Sequence, residues 1–237
     1  MTKEILTILV VPCVVAVVVA VFVVLRRERT SAGDSWIAGV SAGVLAAWAL
    51  AVSILAIRGA FVQTGQENFP PVGITLVLAI TGMALCLTTS KSLRHLLSNQ
   101  KNLTRLHLWR LEGIVFLILM ANGQVPALWA LPAGIGDIIV GATSSLVANQ
   151  LEIIGGKRRA ILFNLFGMLD LIVAVSLGVT TNPGTAQLFH TNPTSELLTH
   201  FPLVLVPTFL VPLAFTIHIV SLWQWIGGTW RDPARTS

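Results

Sequence analysis

The chain has 237 residues, of which 54% are hydrophobic and 11% are charged. Soluble domains carry about 25% charged residues, so this composition excludes an ordinary soluble domain and favours a polytopic membrane protein. The net charge of +5 arises from basic residues at the ends of apolar runs, so membrane topology explains it better than a nucleic-acid partner does. Cys13 and Cys86 both lie within apolar runs, which leaves no disulfide framework and no metal-ligand spacing.

Apolar runs of about 20 residues, the length that crosses a hydrocarbon core of about 30 Å, recur along the whole chain. They predict seven spans, in chain order 5–25, 36–57, 72–89, 111–131, 133–151, 160–179 and 201–226. Three arginines follow the first run, whereas a secretory signal peptide carries its positive charges before the apolar core. The first run is therefore predicted to be an uncleaved span. Residues 90–105 are expected along the membrane surface.

The basic residues test this count of spans. Besides Arg110 at the start of span four, twelve Lys and Arg residues lie in the segments that follow spans one, three and five and in the C-terminal tail, whereas only Lys3 and Arg58 lie in the opposite segments. The positive-inside rule then places the N-terminus outside and the C-terminus in the cytoplasm. We predict an all-α fold with a single seven-helix membrane domain over residues 1–237. Because the seventh span has no lysine, it has no Schiff-base site for retinal, which excludes a rhodopsin.

Two aspartates lie within predicted spans, where a charge costs roughly 2.5–3.5 kcal/mol near the bilayer centre. Helical spacing puts each of them in a stripe of small residues, a pattern typical of closely packed membrane helices. Asp137 shares its stripe with Gly134, Gly141, Ser144 and Ala148, and Asp170 shares its stripe with Gly167, Ala174 and Gly178. Both aspartates are candidates for binding a proton or cation. The alternative is that they only join helices through hydrogen bonds to Ser, Asn or Trp.

The predicted span boundaries place the polar groups at different depths. From the cytoplasmic side we expect Glu112 and Asn164 about one turn in, His218 about two turns in and Asp170 near the midplane. Asp137 is expected about one turn below the outer surface, with Asn122 and Gln124 in the same outer half. We therefore expect a ladder across the bilayer rather than one compact cluster. A ladder suits a path for a proton, an ion or a small solute better than a metal site, and no metal site is expected.

Arg110 and Glu112 are two residues apart and so face nearly opposite sides of a helix, which excludes an ion pair between them. Arg110, just before the fourth span, is expected to extend its side chain to lipid phosphates, with a place on the solute path as the alternative. Glu112 is a candidate for a relay on the cytoplasmic side.

Only one histidine, His218, lies well within a predicted span; the others are assigned to loops or span ends, namely His95, His107, His190 and His200. A haem held between helices by two histidines needs a second histidine at the same depth, so no haem and no other cofactor are expected. His218 is either a hydrogen-bonded packing residue or a proton relay.

Prolines interrupt two of the predicted spans. Pro126 follows Asn122 and Gln124 in the fourth span, and Pro202, Pro207 and Pro212 recur in the seventh. A proline removes a backbone hydrogen bond and opens a helix, and broken helices form binding sites in transporters. The break at Pro126 is the better site candidate, with a purely structural role as the alternative.

Several strings of residues form a recognisable pattern, namely Trp109–Gly113, Pro126, Leu131–Gly141, Asn164-x-x-Gly167-x-x-Asp170, and Pro202, Pro207 and Pro212 followed by His218–Ser221. This pattern resembles that of a family of uncharacterised bacterial integral membrane proteins. The resemblance covers roughly residues 106–221. It implies a multi-pass protein of a bacterial inner or plasma membrane, and it implies no activity, substrate or cofactor.

The leading hypothesis is a transporter of a small solute, coupled to an ion or proton, with its path lined by spans four to seven. Its partners would be the lipid bilayer and an unknown small solute or ion. One alternative is an intramembrane enzyme that acts on a lipid-like substrate, although the chain has no recognisable catalytic motif. The other is a non-catalytic subunit of a membrane complex. The sequence leaves the substrate and the oligomeric state open.

Overall fold

The computed structural model describes residues 2–63 and 69–227, and within these ranges every regular element is a helix. Trp230, Arg231 and Arg235 of the predicted basic tail, and part of the predicted loop 58–71, lie outside the described residues. The elements are α1 (Lys3–Arg27), α2 (Ala32–Ile57), α3 (Pro71–Thr89), α4 (Lys91–Leu96), α5 (Gln100–Arg105), a 3-10 segment (Leu106–Gly113), α6 (Ile114–Ala121), α7 (Ala127–Asn149), α8 (Gly156–Thr180), a short 3-10 turn (Glu196–Thr199), a π-helical turn (Val206–Leu210) and α9 (Val211–Ile226).

Among the described residues, six helices are long and apolar enough to cross a membrane: α1, α2, α3, α7, α8 and the continuous segment Val206–Ile226. The prediction of an all-α membrane fold is confirmed at this level. The first three predicted spans and the sixth match α1, α2, α3 and α8 within a few residues. The predicted surface segment 90–105 forms the two short helices α4 and α5.

The bundle has two ends, which we call the basic end and the loop end. The basic end holds α4, α5, the C-terminal ends of α1, α3, α7 and α9, and the N-terminal ends of α2 and α8. Polar contacts join these parts, since Glu28 Oε1 accepts hydrogen bonds from Asn99 and Asn102 at 2.8 Å each, and Arg105 donates to Asn149 at 2.8 Å. The loop end holds the turn between α6 and α7 and the segment 181–205.

The N-terminus of α2, at the basic end, is fixed by its own sequence. Ser31 Oγ accepts a hydrogen bond from Asp34 N at 3.1 Å, and Asp34 Oδ2 accepts one from Ser31 N at 3.1 Å. This reciprocal pair is a capping box, which satisfies two backbone donors that a helix start leaves free. It explains why α2 begins at Ala32, a few residues before the predicted start.

The predicted fourth and fifth spans, 111–131 and 133–151, have wrong boundaries. Helix α6 ends at Ala121 because Gly123 takes a left-handed conformation with φ +65°. Gly123 N then donates to Met120 O, and Gln124 N to Leu119 O, each at 2.9 Å, which is the pattern of a Schellman motif. Helix α7 starts directly after Pro126. The glycine therefore ends one helix, and Pro126 begins the next rather than breaking a continuous span.

The segment before α6 is an eight-residue 3-10 helix, Leu106–Gly113. Such runs rarely exceed four residues, because side chains three apart eclipse one another and the hydrogen-bond geometry is poorer. This one packs closely on α7, where the added Cβ of a residue at Gly141 would lie 2.6 Å from Leu111 N. The small-residue stripe of α7 thus allows the two backbones to approach closely.

The segment that holds α9 is the most enclosed of the six, with 72% of its apolar window buried against 11–44% for the others. It starts with the π-helical turn, within which Thr208 O accepts a hydrogen bond from Trp48 Nε1 of α2 at 3.0 Å. In a regular α-helix that carbonyl would bond to residue 212, but Pro212 has no N–H. A tryptophan from a neighbouring helix therefore serves a carbonyl that proline leaves without its usual partner. Helices α2 and α3 lie on the periphery.

Candidate functional site

A buried ion-pair cluster lies where the 3-10 segment, α7, α8 and α9 meet. Arg110 is fully buried, at 0% exposure. Its Nε donates to Asp137 Oδ1 at 2.5 Å, and its Nη2 donates to Asp170 Oδ2. Its Nη1 lies 3.1 Å from His218 Nε2 and 3.4 Å from Gly167 O. One guanidinium thus joins four helical elements by using its planar set of donors in three directions.

The predicted ladder of polar groups is wrong, because the cluster members lie at one depth. Asp137 is ten residues after Ala127, the start of α7, and Asp170 is ten residues before Thr180, the end of α8. At 1.5 Å per residue both lie about 15 Å from the loop end. The prediction had placed Asp137 near the outer surface because it started the fifth span at residue 133. The true start six residues earlier moves Asp137 toward the middle.

The expectation that Arg110 extends to lipid phosphates is also wrong. Its position two residues from Glu112 does exclude an ion pair between the two, and the ion pairs of Arg110 are with Asp137 and Asp170. The alternative view of the aspartates, as groups bonded to Ser, Asn or Trp, fails as well, because their partner is a cation. A carboxylate paired with an arginine is far less costly to bury than one bonded to neutral groups.

Hydrogen bonds determine the tautomer of His218. Asn164 Nδ2 donates to Ala160 O at 2.8 Å and to Ser221 Oγ at 2.9 Å, so Asn164 Oδ1 must be an acceptor. His218 Nδ1 lies 2.8 Å from that oxygen and therefore carries the proton. His218 Nε2 is then free to accept from Arg110. The imidazole is neutral and held as an acceptor for the guanidinium.

The same contacts continue to the basic end as a chain of neutral side chains. Ser221 Oγ donates to Gln100 Oε1 at 2.6 Å, and Gln100 Nε2 donates to Gln224 Oε1 at 2.7 Å. Gln224 Nε2 then donates to Leu97 O at 2.8 Å. The chain ties α8 and α9 to the short helices of the basic end. Its amide members are fixed as donors and acceptors, so it braces the cluster from one side.

A second histidine lies beside the cluster, which corrects the prediction that His218 is alone at its depth. His107 is fully buried, and its ring stacks on that of His218 with centroids 3.8 Å apart and 14° between the planes. His107 and Arg110 are three residues apart, and a 3-10 helix puts such residues on one face. Stacked rings present their faces to each other rather than their nitrogens, which is not how two histidines ligate a haem iron. Neither ring nitrogen of His107 has a hydrogen-bond partner among the described residues.

Glycines surround the cluster where its side chains meet neighbouring backbone. A Cβ at Gly113 would lie 2.6 Å from Asp137 Cβ. A Cβ at Gly136 would overlap the carboxylate of Asp170, and one at Gly167 would overlap the ring of His218. Gly136 was not part of the predicted stripe of Asp137. These positions accept no side chain unless the cluster moves.

The cluster holds unequal charge. One guanidinium faces two carboxylates, and the neighbouring His218 is neutral. With both aspartates ionised, the site carries one negative charge that no described residue within it balances. Such a charge in an apolar core is costly unless a proton or another cation accompanies it.

A narrow cavity of about 70 Å³ reaches the cluster from the loop end. Asp137 lines its deep part, and Gln63, Asn182 and Thr199 line it near the loop end. Asn182 is 8% exposed, and its Oδ1 has no hydrogen-bond partner among the described residues. Since a water molecule needs roughly 10–15 Å³ of such volume, the cavity has room for a few waters and for no larger solute.

A larger cavity of about 590 Å³ opens at the loop end itself. Lys3, Gln124, Glu196 and His200 are among its polar residues, and Leu6 and Phe201 are among its apolar ones. The segment 196–203 separates the two cavities, since Leu197 and His200 line the large one and Leu198 and Thr199 line the narrow one. Gln124, a predicted path residue, belongs to this entrance and not to the cluster.

Two other predicted path residues lie apart from the cluster. Glu112 faces Cys13 of α1. Asn122 is exposed and donates to Ile118 O of its own helix at 2.7 Å. The structure thus gathers five of the predicted residues, namely Arg110, Asn164, Asp137, Asp170 and His218.

Sequence reasoning missed His107, Gln100, Ser221 and Gln224 as neighbours of the site. The spacing of His107 and Arg110 was a usable signal, but it required knowing that the segment is a 3-10 helix. Gln100 belonged to a predicted surface segment, where an amide carries no functional signal. Within residues 2–63 and 69–227, no group of three or more His, Cys, Asp or Glu is placed to hold a metal ion.

Residues 69–226 match a protein family described as a domain of unknown function, DUF8737. The match covers about two thirds of the chain and includes every residue of the cluster, so the chain belongs to this family. No curated protein and no solved structure matches the chain. The bacterial membrane family of the sequence resemblance stays a prediction.

Proposed function

We propose that this member of the DUF8737 family is a membrane transporter for a small solute, in which the cluster of Arg110, Asp137 and Asp170 binds the coupling proton or cation. The observation that carries the proposal is the unequal charge of the cluster, one guanidinium against two carboxylates. A purely structural site would be cheapest to bury with equal charges. The second carboxylate leaves one negative charge unbalanced, and a bound proton or cation would neutralise it.

The surroundings of the cluster favour exchange of the proton or cation with one end of the bundle at a time. The narrow cavity gives water a route from the loop end to Asp137. Toward the basic end, the neutral chain from His218 to Gln224 fills the space with fixed hydrogen bonds. This arrangement corresponds to a state open to the loop end, and transport requires a second state in which the brace at the basic end loosens.

The 3-10 segment and the π-helical turn are suited to such a change. Both are local departures from α-helix, and both border the cluster or its cavity. Irregular helical turns often mark hinges and functional sites. Arg110 lies on the first of them, so a return of that segment to α-helical geometry would turn the guanidinium relative to the two aspartates.

The proposal includes seven crossings with the N-terminus outside and the C-terminus inside. The 3-10 segment and α6 have eight residues each. At about 2.0 Å per residue in the first and 1.5 Å in the second they reach about 28 Å, close to the thickness of a hydrocarbon core. Together they would form one further crossing, the fourth in chain order, in addition to the six long helices. The basic end would then face the cytoplasm of a bacterial inner or plasma membrane, as the positive-inside rule requires.

The solute site would be the 590 Å³ cavity of the loop end, which has the size of small-molecule sites. Its opposite charges, from Lys3 and Glu196, fit a small polar solute. The segment 196–203 forms a wall of both that cavity and the narrow one, so the two sites are neighbours.

A charge-displacement measurement on proteoliposomes tests the coupling site without a known solute. We expect a step in proton or sodium concentration to produce a transient current in the wild type and none in Asp137→Asn/Asp170→Asn. Glu152→Gln, at the exposed turn between α7 and α8, is the matched control and should retain the current. A wild type without any transient, or a double variant with an unchanged one, would refute the proposal.

A further inference from the structure

We infer that the chain holds one acyl chain of an anionic phospholipid in a cleft between α2 and α3, a site that is separate from the proposed transport path. The inference concerns a different face of the molecule and goes beyond the proposed function. It rests on the shape of the cleft, the apolar lining of its wall, and the charge of the bundle end at which it stops.

The cleft exists because α2 and α3 are peripheral helices that make almost no contact with each other. Between them lies a cavity of about 330 Å³ with α9 behind it. Val44 of α2 and Leu78 of α3 line it and are 59% and 60% exposed, so the cleft opens sideways between the two helices. In a bilayer the material at that opening is acyl chain.

The wall of the cleft offers few groups to a polar ligand. Nearly all its lining residues are apolar, and none is Asp, Glu, His, Lys or Arg. Trp48 and Thr216 of the wall already have partners, since Trp48 Nε1 donates to Thr208 O at 3.0 Å and Thr216 Oγ1 to Pro212 O at 2.8 Å, which leaves the hydroxyl of Ser41 and the thiol of Cys86 as its other polar groups. Water in the cleft would gain few hydrogen bonds, whereas an acyl chain would gain dispersion contacts on every side.

The length of the cleft corresponds to one leaflet. Its lining along α3 runs from Leu78 to Leu87, which is about 14 Å at 1.5 Å per residue, or about half of a hydrocarbon core. It ends against Leu93 and Leu97, at α4 of the basic end. A chain in the cleft would therefore have its head group at the basic end of the bundle.

The charge at that end selects the head group. Arg26 and Arg27 end α1, Arg29 follows it, and Lys91 and Arg94 lie on α4, which closes the cleft. Lys91 is exposed, and each basic residue near a membrane surface attracts anionic lipid by about 1 kcal/mol. An anionic glycerophospholipid satisfies both the apolar cleft and the basic rim. No Asp, Glu, His, Lys or Arg lines the wall, so no acid or base stands there to convert such a lipid, which disfavours the lipid-enzyme alternative at this site.

The test is native mass spectrometry of the protein released from nanodiscs made of equal parts phosphatidylglycerol and phosphatidylcholine. We expect one phosphatidylglycerol retained by the wild type. Gly82 lies in the cleft wall with open space around it, so Gly82→Leu fills the cleft without a clash and should abolish retention. Gly43 of α2 has equally open surroundings but does not line the cleft, so Gly43→Leu is the matched control and should retain the lipid.

A second pair of substitutions tests the preference for an anionic head group. Arg27→Gln/Lys91→Gln should lower the preference for phosphatidylglycerol over phosphatidylcholine several-fold while one lipid remains bound. Equal retention in Gly82→Leu and wild type, or retention with no head-group preference in the wild type, would overturn the inference. Neither variant set touches Arg110, Asp137 or Asp170, so failure here and failure of the transport proposal are distinguishable by the charge-displacement measurement.

Discussion

His218 Nδ1 lies 2.8 Å from Asn164 Oδ1, and this single contact makes the histidine an acceptor for Arg110 rather than a second cation beside it. The asparagine oxygen can only accept, because the amide nitrogen already donates to Ala160 and Ser221. The amide of Asn164, three contacts away from the aspartates, thus determines which nitrogen of His218 carries the proton.

Spectroscopy can detect that tautomer. In protein labelled with ¹⁵N at histidine, we expect His218 to show a protonated Nδ1 and an unprotonated Nε2, with assignment from His218→Gln. Asn164→Leu should remove the preference and lower stability by about 1–3 kcal/mol, because it leaves a buried N–H without a partner. The exposed Asn122→Leu should change neither signal nor unfolding midpoint. A His218 spectrum that is unchanged in Asn164→Leu would contradict the assignment.

The unequal charge of the cluster predicts unequal effects of removing its members. Arg110→Gln leaves two buried carboxylates facing each other and should destabilise the protein by about 3–5 kcal/mol. Asp170→Asn leaves one balanced ion pair and should cost far less at neutral pH. Unfolding titrations in mild detergent would measure both. Adding Asp137→Asn and Asp170→Asn to Arg110→Gln should recover part of the loss, and equal losses from the two single variants would refute the charge argument.

The glycines around the cluster predict a steric effect that is specific to position. Gly136→Ala and Gly167→Ala would each push a methyl group into a cluster side chain, and we expect losses of about 1–3 kcal/mol or more. Gly39→Ala and Gly82→Ala, which have open space, should be neutral or slightly stabilising. Thermal unfolding of the four variants gives the comparison. Similar midpoints for all four would show that the cluster can shift.

The contact between Trp48 and Thr208 O predicts a coupled pair. Trp48→Phe should cost about 0.5–1.5 kcal/mol through the lost hydrogen bond. Pro212→Ala restores an N–H that can serve the same carbonyl, so Trp48→Phe should cost less in that background. A double-mutant cycle on unfolding free energies measures the difference. Additive losses would mean that proline and tryptophan do not share this carbonyl.

Much of the fold could be predicted from the sequence, because an apolar run of about 20 residues matches the thickness of a bilayer and is rare in soluble domains. The ends of α1, α3 and α8 followed from where those runs stop. The break between α6 and α7 was harder to predict, because the proline at 126 is the more conspicuous residue while Gly123 is the one that ends the helix. Residues 127–131 are apolar and fit the end of the predicted fourth span as well as the start of α7. Hydropathy alone therefore could not assign them to α7.

Part of the candidate site could also be predicted from the sequence. Asp137 and Asp170 stood out because carboxylates are expensive in a membrane, and that argument needs no geometry. Arg110 was misjudged because its depth depends on the form of the segment before α6, and residue types there do not distinguish a 3-10 helix from a loop. His107 lies on the same segment, so its place beside the site could not be predicted either. Counting ten residues from the loop-end termini of α7 and α8 would have placed the two aspartates together, once those termini were known.

The placement of Arg110 on a short, polar segment also affects how the protein is made. Its partners Asp137 and Asp170 follow it by 27 and 60 residues, so at 5–20 residues per second the ribosome delivers the second about 3–12 s later. During that interval the segment would enter lipid with an unpaired guanidinium. We expect it to wait at the membrane surface until α7 and α8 have been synthesised, and so to reach its final place after helices that are translated later.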